Sequence, residues 1–234
     1  MINIRLLTGT LIFIIFYIFY YFQFNDILIL TLLLGTFYDF YYSKISNLKI
    51  SILLFISSLT IFFIFSQYFD FIRLNIYIFL ILLILSFFKS RLTNIFFCTI
   101  TFFFIFFSYE LINIDPNIFY FVILLSFIND TTAYIAGNAF KGPLIIPSIS
   151  PKKTWSGTVV SFLFSFILFV YFDYSFLVSA LISLSYFLSD IYFSFIKRFN
   201  KLKDFSNFLP GHGGILDRID SFVLPVFFAI LFYK

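Results

Sequence analysis

Ser194-Phe-Ile-Lys-Arg-Phe-Asn-Lys-Leu-Lys-Asp204 and, after a short spacer, Pro210-Gly-His-Gly-Gly-Ile-Leu-Asp-Arg-Ile-Asp-Ser221 form a polar interval between two apolar runs near the C-terminus. From Lys197 to Asp220 it holds five basic side chains (Lys197, Arg198, Lys201, Lys203 and Arg218), three carboxylates (Asp204, Asp217 and Asp220) and His212, the only histidine of the chain. A loop that merely joins two membrane segments has no need of so much ionisable material. The interval is therefore where the chemistry is expected, and its groups suit phosphate and metal.

The surroundings fix the class. With 62% hydrophobic residues, 11% charged residues and a mean hydropathy of +1.07 over 234 residues, the chain cannot be arranged as a water-soluble globule. It reads as an all-α polytopic membrane protein. Apolar windows long enough to approach a crossing fall near 5–24, 26–42, 50–68, 74–88, 92–108, 117–139, 156–172, 174–195 and 221–233, which gives about nine spans. Residues 1–110 are expected to form an N-terminal set of spans and 111–234 a catalytic region. The N-terminal run behind Arg5 is too long for a signal peptide and lacks a small-x-small cleavage site, so it is expected to stay as the first span. The 43 Phe are expected to fill lipid-facing positions, and Cys98, the single cysteine, to be a packed thiol.

Charge tests the span count independently. Nine crossings put every Lys and Arg except Arg73 and Lys234 on one face, and lysine and arginine are retained on the cytoplasmic side of bacterial-type membranes. The basic face is expected to be cytoplasmic, in an inner or plasma membrane.

Asp39, Asp130, Asp190, Asp204, Asp217 and Asp220 lie on or near that same face, several of them inside or at the ends of apolar runs. A carboxylate at mid-span costs about 2.5–3.5 kcal/mol even on the lenient insertion scale, so each needs a partner or a wet cavity. On a helix, Asp190, Ser194, Lys197 and Lys201 recur at intervals of four, three and four, which stacks them along one stripe. Pro210 and Gly211 stop any helix, and Gly213-Gly214 let the backbone approach a ligand around His212. Asp217 and Asp220, one helical turn apart, can offer two oxygens to a hard cation such as Mg²⁺. A second polar island comprises Asn129-Asp-Thr-Thr-Ala-Tyr-Ile-Ala-Gly137 and Ser148-Ile-Ser-Pro-Lys-Lys-Thr-Trp-Ser-Gly157. It buries Asp130 late in a span and offers Ser150, Lys152, Lys153 and Thr154 just before the next.

These residues resemble the phosphatidate cytidylyltransferases, or CDP-diacylglycerol synthases. The family signature, S-x-hydrophobic-K-R-x4-K-D, a spacer, then P-G-H-G-G-x-x-D-R-x-D-S, is followed without a gap from Ser194 to Ser221. The upstream elements D-[ST]-x-A-Y-x-x-G and S-P-x-K-T-W-x-G are similar to Asp130–Gly137 and Ser150–Gly157. Ser189 and Phe193, before Asp190 and Ser194, and Phe127, where tryptophan is usual, depart from the pattern. The resemblance implies conversion of CTP and phosphatidate to CDP-diacylglycerol and pyrophosphate, with Mg²⁺ and a second cation, K⁺ or Mg²⁺, and a homodimer. It implies metal binding by Asp190, Asp217 and Asp220, with Asp130 as an additional candidate. Catalytic roles fall to Lys197, Arg198, Lys203, Asp204 and His212, and substrate binding to Ser150, Lys152, Lys153, Thr154, Ser194 and Arg218. Nucleic acid is not an expected partner, and the chain has no G-x-x-x-x-G-K-[ST] loop. Two other functions fit the bare residues: a CTP-dependent lipid kinase, and a transporter of an anionic phosphorylated solute.

Overall fold

A computed structural model describes residues 2–66, 71–88, 92–211 and 213–232, with side chains described from residue 10 onward except 12–13, 61–66 and 71–76. His212, Lys89, Arg91 and Lys234, and the side chains of Arg5 and Arg73, lie outside this description.

Helices α1 (Ile2–Phe22), α2 (Asn25–Ser43), α3 (Leu48–Ser66), α4 (Phe71–Ser86), α5 (Thr93–Ile114), α6 (Pro116–Phe140), α7 (Trp155–Tyr171), α8 (Phe176–Phe199) and α10 (Val223–Leu231) follow the nine apolar windows in order. A one-turn helix, α9 (Leu216–Ile219), lies within the polar interval. By length and composition, α5, α6 and α8 can cross a membrane, and the chain is an integral membrane protein. The all-α expectation holds with one addition. Between α6 and α7, β1 (Leu144–Ile146) and β2 (Ser150–Thr154) form an antiparallel ribbon that pairs Leu144 with Thr154 and Ile146 with Ser150.

Local chemistry sets the helix ends. Asp115 opens α6, its Oδ1 accepting from the Asn117 and Ile118 amides at 2.9 and 3.4 Å ahead of Pro116 at the first helical position. Thr154 ends the ribbon and caps α7, its Oγ1 accepting from Gly157 N at 3.3 Å. A Cβ on Gly157 would strike the Ala133 carbonyl of α6, so the glycine lets α6 and α7 pack backbone to backbone. Pro225 sits in the first turn of α10, where its missing N–H costs little.

Helix α5 is the hub, packed by α2, α3, α4, α6 and α10. Its Phe97, Phe102, Phe103, Phe104 and Phe107 are fully buried. The expectation that phenylalanine fills lipid-facing positions holds in part: Phe88, Phe140 and Phe176 are exposed, but phenylalanine also dominates the core. Nearly all of the largest fully buried side chains are Phe, and rings meet at 4.0 Å between Phe79 and Phe227 and at 5.6 Å between Phe97 and Phe205. Lipid tails are as apolar as a protein core, so burial alone gains little inside a bilayer and these interlocked rings hold helices by close dispersion contact. Cys98 is buried and free, as expected of a packed thiol.

Candidate functional site

Three helices and the ribbon converge on a cavity of about 280 Å³ lined by the second polar island and by the helix that leads into the first: Asn129, Asp130, Ala133 and Tyr134 of α6; Ser150, Lys152, Lys153 and Thr154 of β2; Gly157, Thr158, Ser161 and Phe162 of α7; and Ser183, Tyr186, Phe187 and Asp190 of α8. Lys153 forms an ion pair with Asp190 and lies 5.7 Å from the centre of the Phe187 ring, while Lys152 is exposed. Ser194 Oγ donates to Asp190 Oδ1 at 3.3 Å, so the stripe along α8 is present. It stops at Lys197: the helix ends at Phe199 and Lys201, at φ 56°, turns away.

One turn beyond Ser194, Lys197 Nζ donates to Asp217 Oδ1 at 3.0 Å and to Asp220 Oδ2 at 3.3 Å; Lys197 and Asp217 are buried and Asp220 is partly so. The second oxygen of Asp217 accepts from the Phe205 and Gly214 amides at 2.8 and 2.9 Å. Asp217 is thus the knot of the polar interval, with both oxygens engaged. Burial pushes the Asp220 carboxyl up to about 7, the Lys197 ammonium opposing the rise and the charges of Asp190 and Asp217 adding to it. Ser221 completes the link to α6. It shares a hydrogen bond of 2.6 Å with Ser126 and donates to Asp130 Oδ2 at 3.4 Å. Ser189 Oγ of α8 donates to the Asp220 carbonyl at 2.5 Å.

The remaining candidates lie elsewhere. Arg198 is exposed, and its guanidinium donates to the Ile149 and Leu202 carbonyls at 3.1 and 3.0 Å, lashing the ribbon turn to the end of α8. Lys203, Asp204 and Arg218 line a separate open cavity of about 510 Å³ with Asn207, Leu209, Pro210, Gly211 and Gly213. His212, between those glycines, is among the residues not described.

Sequence reasoning demanded a partner for Asp39 without finding it. Asp39 of α2 is fully buried, with Oδ1 accepting from Ser206 Oγ at 2.6 Å and Oδ2 from the Leu216 amide at 2.6 Å. Its carboxylate lies directly against Gly214, where a Cβ would collide with it. Nearby, Asn207 Nδ2 donates to Tyr42 Oη at 3.1 Å and the Phe208 ring meets Tyr38 at 5.3 Å. The first half of the chain therefore grips the glycine turn that presents Asp217. Gly214→Ala should push Asp39 off the Leu216 amide and lower the thermal stability of the detergent-solubilised protein by several degrees, a shift of about 1–3 kcal/mol. An unchanged melting temperature would show that the contact carries no weight.

Carboxylate oxygens and lysines are the donor set of this site. Among the described residues, no group of three or more His, Cys, Asp or Glu gathers in a metal-binding cluster. Mg²⁺ needs no such cage: it binds through one or two carboxylates together with water and substrate phosphate oxygens. The residues present fit that ion.

The sequence profile of the Cytidylyltransferase family matches residues 1–234. The phosphatidate cytidylyltransferase of Rickettsia prowazekii is 42% identical over 147 residues, covering 55% of this chain and 64% of its own length. That of Rickettsia typhi is 39% identical over 132 residues, or 49% of this chain and 57% of the relative. That of Haemophilus influenzae is 34% identical over 128 residues, or 48% and 44%. The matched segments span less than two thirds of each of these relatives.

Proposed function

Because the chain belongs to the cytidylyltransferase family, we propose that it is a phosphatidate cytidylyltransferase, forming CDP-diacylglycerol and pyrophosphate from CTP and phosphatidate. The observation that carries this reading is the ion pair that joins the second polar island to α8, Lys153 of the ribbon against Asp190, with Lys197 further along the same helix binding Asp217 and Asp220 of the polar interval.

In the reaction, a phosphate oxygen of phosphatidate attacks the α-phosphorus of CTP, the new P–O bond forms, and the bond to the bridging oxygen breaks to release pyrophosphate. Both reactants are anions, so repulsion is the obstacle and electrostatic positioning is the remedy. Lys153 and Lys152 face the cavity and offset the charge of the phosphates. Asp190 fixes the ammonium of Lys153, and Ser194 fixes Asp190 in turn. Asp190 and Asp220, with Asp130 near them, would hold Mg²⁺; at Asp217 a cation would compete with Lys197 for Oδ1. When bound, Mg²⁺ neutralises the triphosphate and eases departure of pyrophosphate. It would also keep Asp220 ionised in spite of its burial. No side-chain nucleophile is required.

The same reading sets the nine apolar helices in a bacterial-type inner membrane with the basic face and the cavity mouth toward the cytoplasm. Phosphatidate keeps its acyl chains in the bilayer, which suits a cavity walled in part by Phe162 of α7 and Phe187 of α8. The test is purified protein in mixed micelles with phosphatidate, Mg²⁺ and CTP labelled in the cytosine. Lipid-soluble label with release of pyrophosphate is expected. Release of CDP with a newly phosphorylated lipid would instead identify a CTP-dependent kinase, and neither product would leave transport of a phosphorylated solute.

A further inference from the structure

Among the described residues, two polar atoms in the same cavity have no hydrogen-bond partner. Asn129 Oδ1 of α6 and Ser183 Oγ of α8 are buried without a hydrogen bond, in side chains only 5% and 2% exposed. A buried polar group without a partner carries its full desolvation cost, so such groups mark the place of something that binds. Ser183 and Asp190 lie on one face of α8, seven residues apart, which at 1.5 Å per residue puts Ser183 about 10 Å further from the charged mouth. The intervening wall is apolar, formed by Phe162 and Phe187. The cavity thus runs from cations and carboxylates, with the Asn129 amide next to Asp130, past aromatic rings to the Ser183 hydroxyl at depth.

Resting on the cytidylyltransferase reading above, we propose that Asn129 and Ser183 form a subsite for the ester carbonyls of the diacylglycerol backbone of the lipid substrate. A nucleotide enters from water and keeps its triphosphate at the cationic mouth. The lipid comes from the other direction. With its phosphate at Lys153, the next polar groups it offers toward the bilayer interior are its two acyl-ester carbonyls, which accept hydrogen bonds and donate none. Ser183 supplies an O–H. The Asn129 amide supplies an N–H once it turns over, since its two ends have the same shape. A lipid with ether-linked chains has the same length and the same phosphate but lacks those two acceptors, so the subsite selects the ester linkage and not the chain.

The experiment compares dioleoyl phosphatidate with its dialkyl ether analogue in mixed micelles, using the wild-type chain, Ser183→Ala and Asn129→Leu. Binding is read from the fluorescence of Trp155, the single tryptophan, which opens α7 beside the cavity, and turnover is followed in parallel. The wild type should bind the diester about 3- to 10-fold more tightly than the diether. Each variant should lose most of that preference while keeping its apparent affinity for CTP and its thermal stability, because neither substitution removes a side-chain bond made among the described residues. Equal binding of the two lipids by the wild type, as ordered water at these atoms would give, overturns the subsite. So does a variant that weakens CTP in place of the diester. Turnover without ester preference sinks this inference alone, and ester preference without turnover sinks the transferase reading alone.

Discussion

Asp190→Asn is expected to lower cytidylyl transfer by about 10²–10³-fold, the usual scale for loss of a group that organises charge around a reacting phosphate. The substitution keeps the volume of the side chain and its hydrogen bond from Ser194, so the fold should stand. What goes is the negative charge that holds the Lys153 ammonium in the cavity and supplies an oxygen for a cation. Loss of rate with unchanged helicity and elution in detergent is the expected result, and Mg²⁺ titration should show a weakened dependence on the ion. If Asp190→Asn turned over at a wild-type rate, the pairing of the ribbon with α8 would be a matter of stability and the proposed centre would be wrong.

Lys197→Met should have the largest effect on stability. The ammonium sits between Asp217 and Asp220, and removing one member of a buried ion group commonly costs about 3–5 kcal/mol because the charges left behind keep their desolvation cost. The loss should depend on pH with a definite sign. Without Lys197 the Asp220 carboxyl has a folded-state pKa above that of the unfolded chain, so the folded state binds its proton more tightly and gains stability as pH falls. Asp220 is already raised to about 7 with the lysine in place. Melting temperatures of wild type and variant should therefore converge toward pH 5 and separate toward pH 8. A constant gap across that range would show that the ammonium is not what opposes protonation of Asp220.

Much of this could be read from the amino acids, and the remainder had a physical reason to stay hidden. Apolar windows gave the order of the helices because each run is bounded by charge, proline or a polar turn. The stripe from Asp190 to Lys197 followed from helical spacing, though Lys201 did not, since nothing local announced that α8 would stop at Phe199. The ribbon was illegible: Pro151 and two lysines inside β2 contradict strand preference, and the strands exist because they tie α6 to α7. Arg198 and Lys203 carry the charge expected of site residues, yet one braces a turn through carbonyls and the other lines a different cavity. Asp39 was flagged only by the cost of a carboxylate in an apolar run. Its partner Ser206 lies 167 residues away, a separation that no periodicity bridges.

That distant clasp changes what a truncated chain would be. A fragment starting at residue 111 would keep the whole signature yet present the amide of Leu216 and the hydroxyl of Ser206 to an empty groove where α2 had been. The glycine turn would then be free to sample orientations in which Asp217 no longer meets Lys197. Helices that look like a passive anchor act instead as the jig in which the signature is set, and co-expressing them as a separate piece is the way to restore what the fragment lacks.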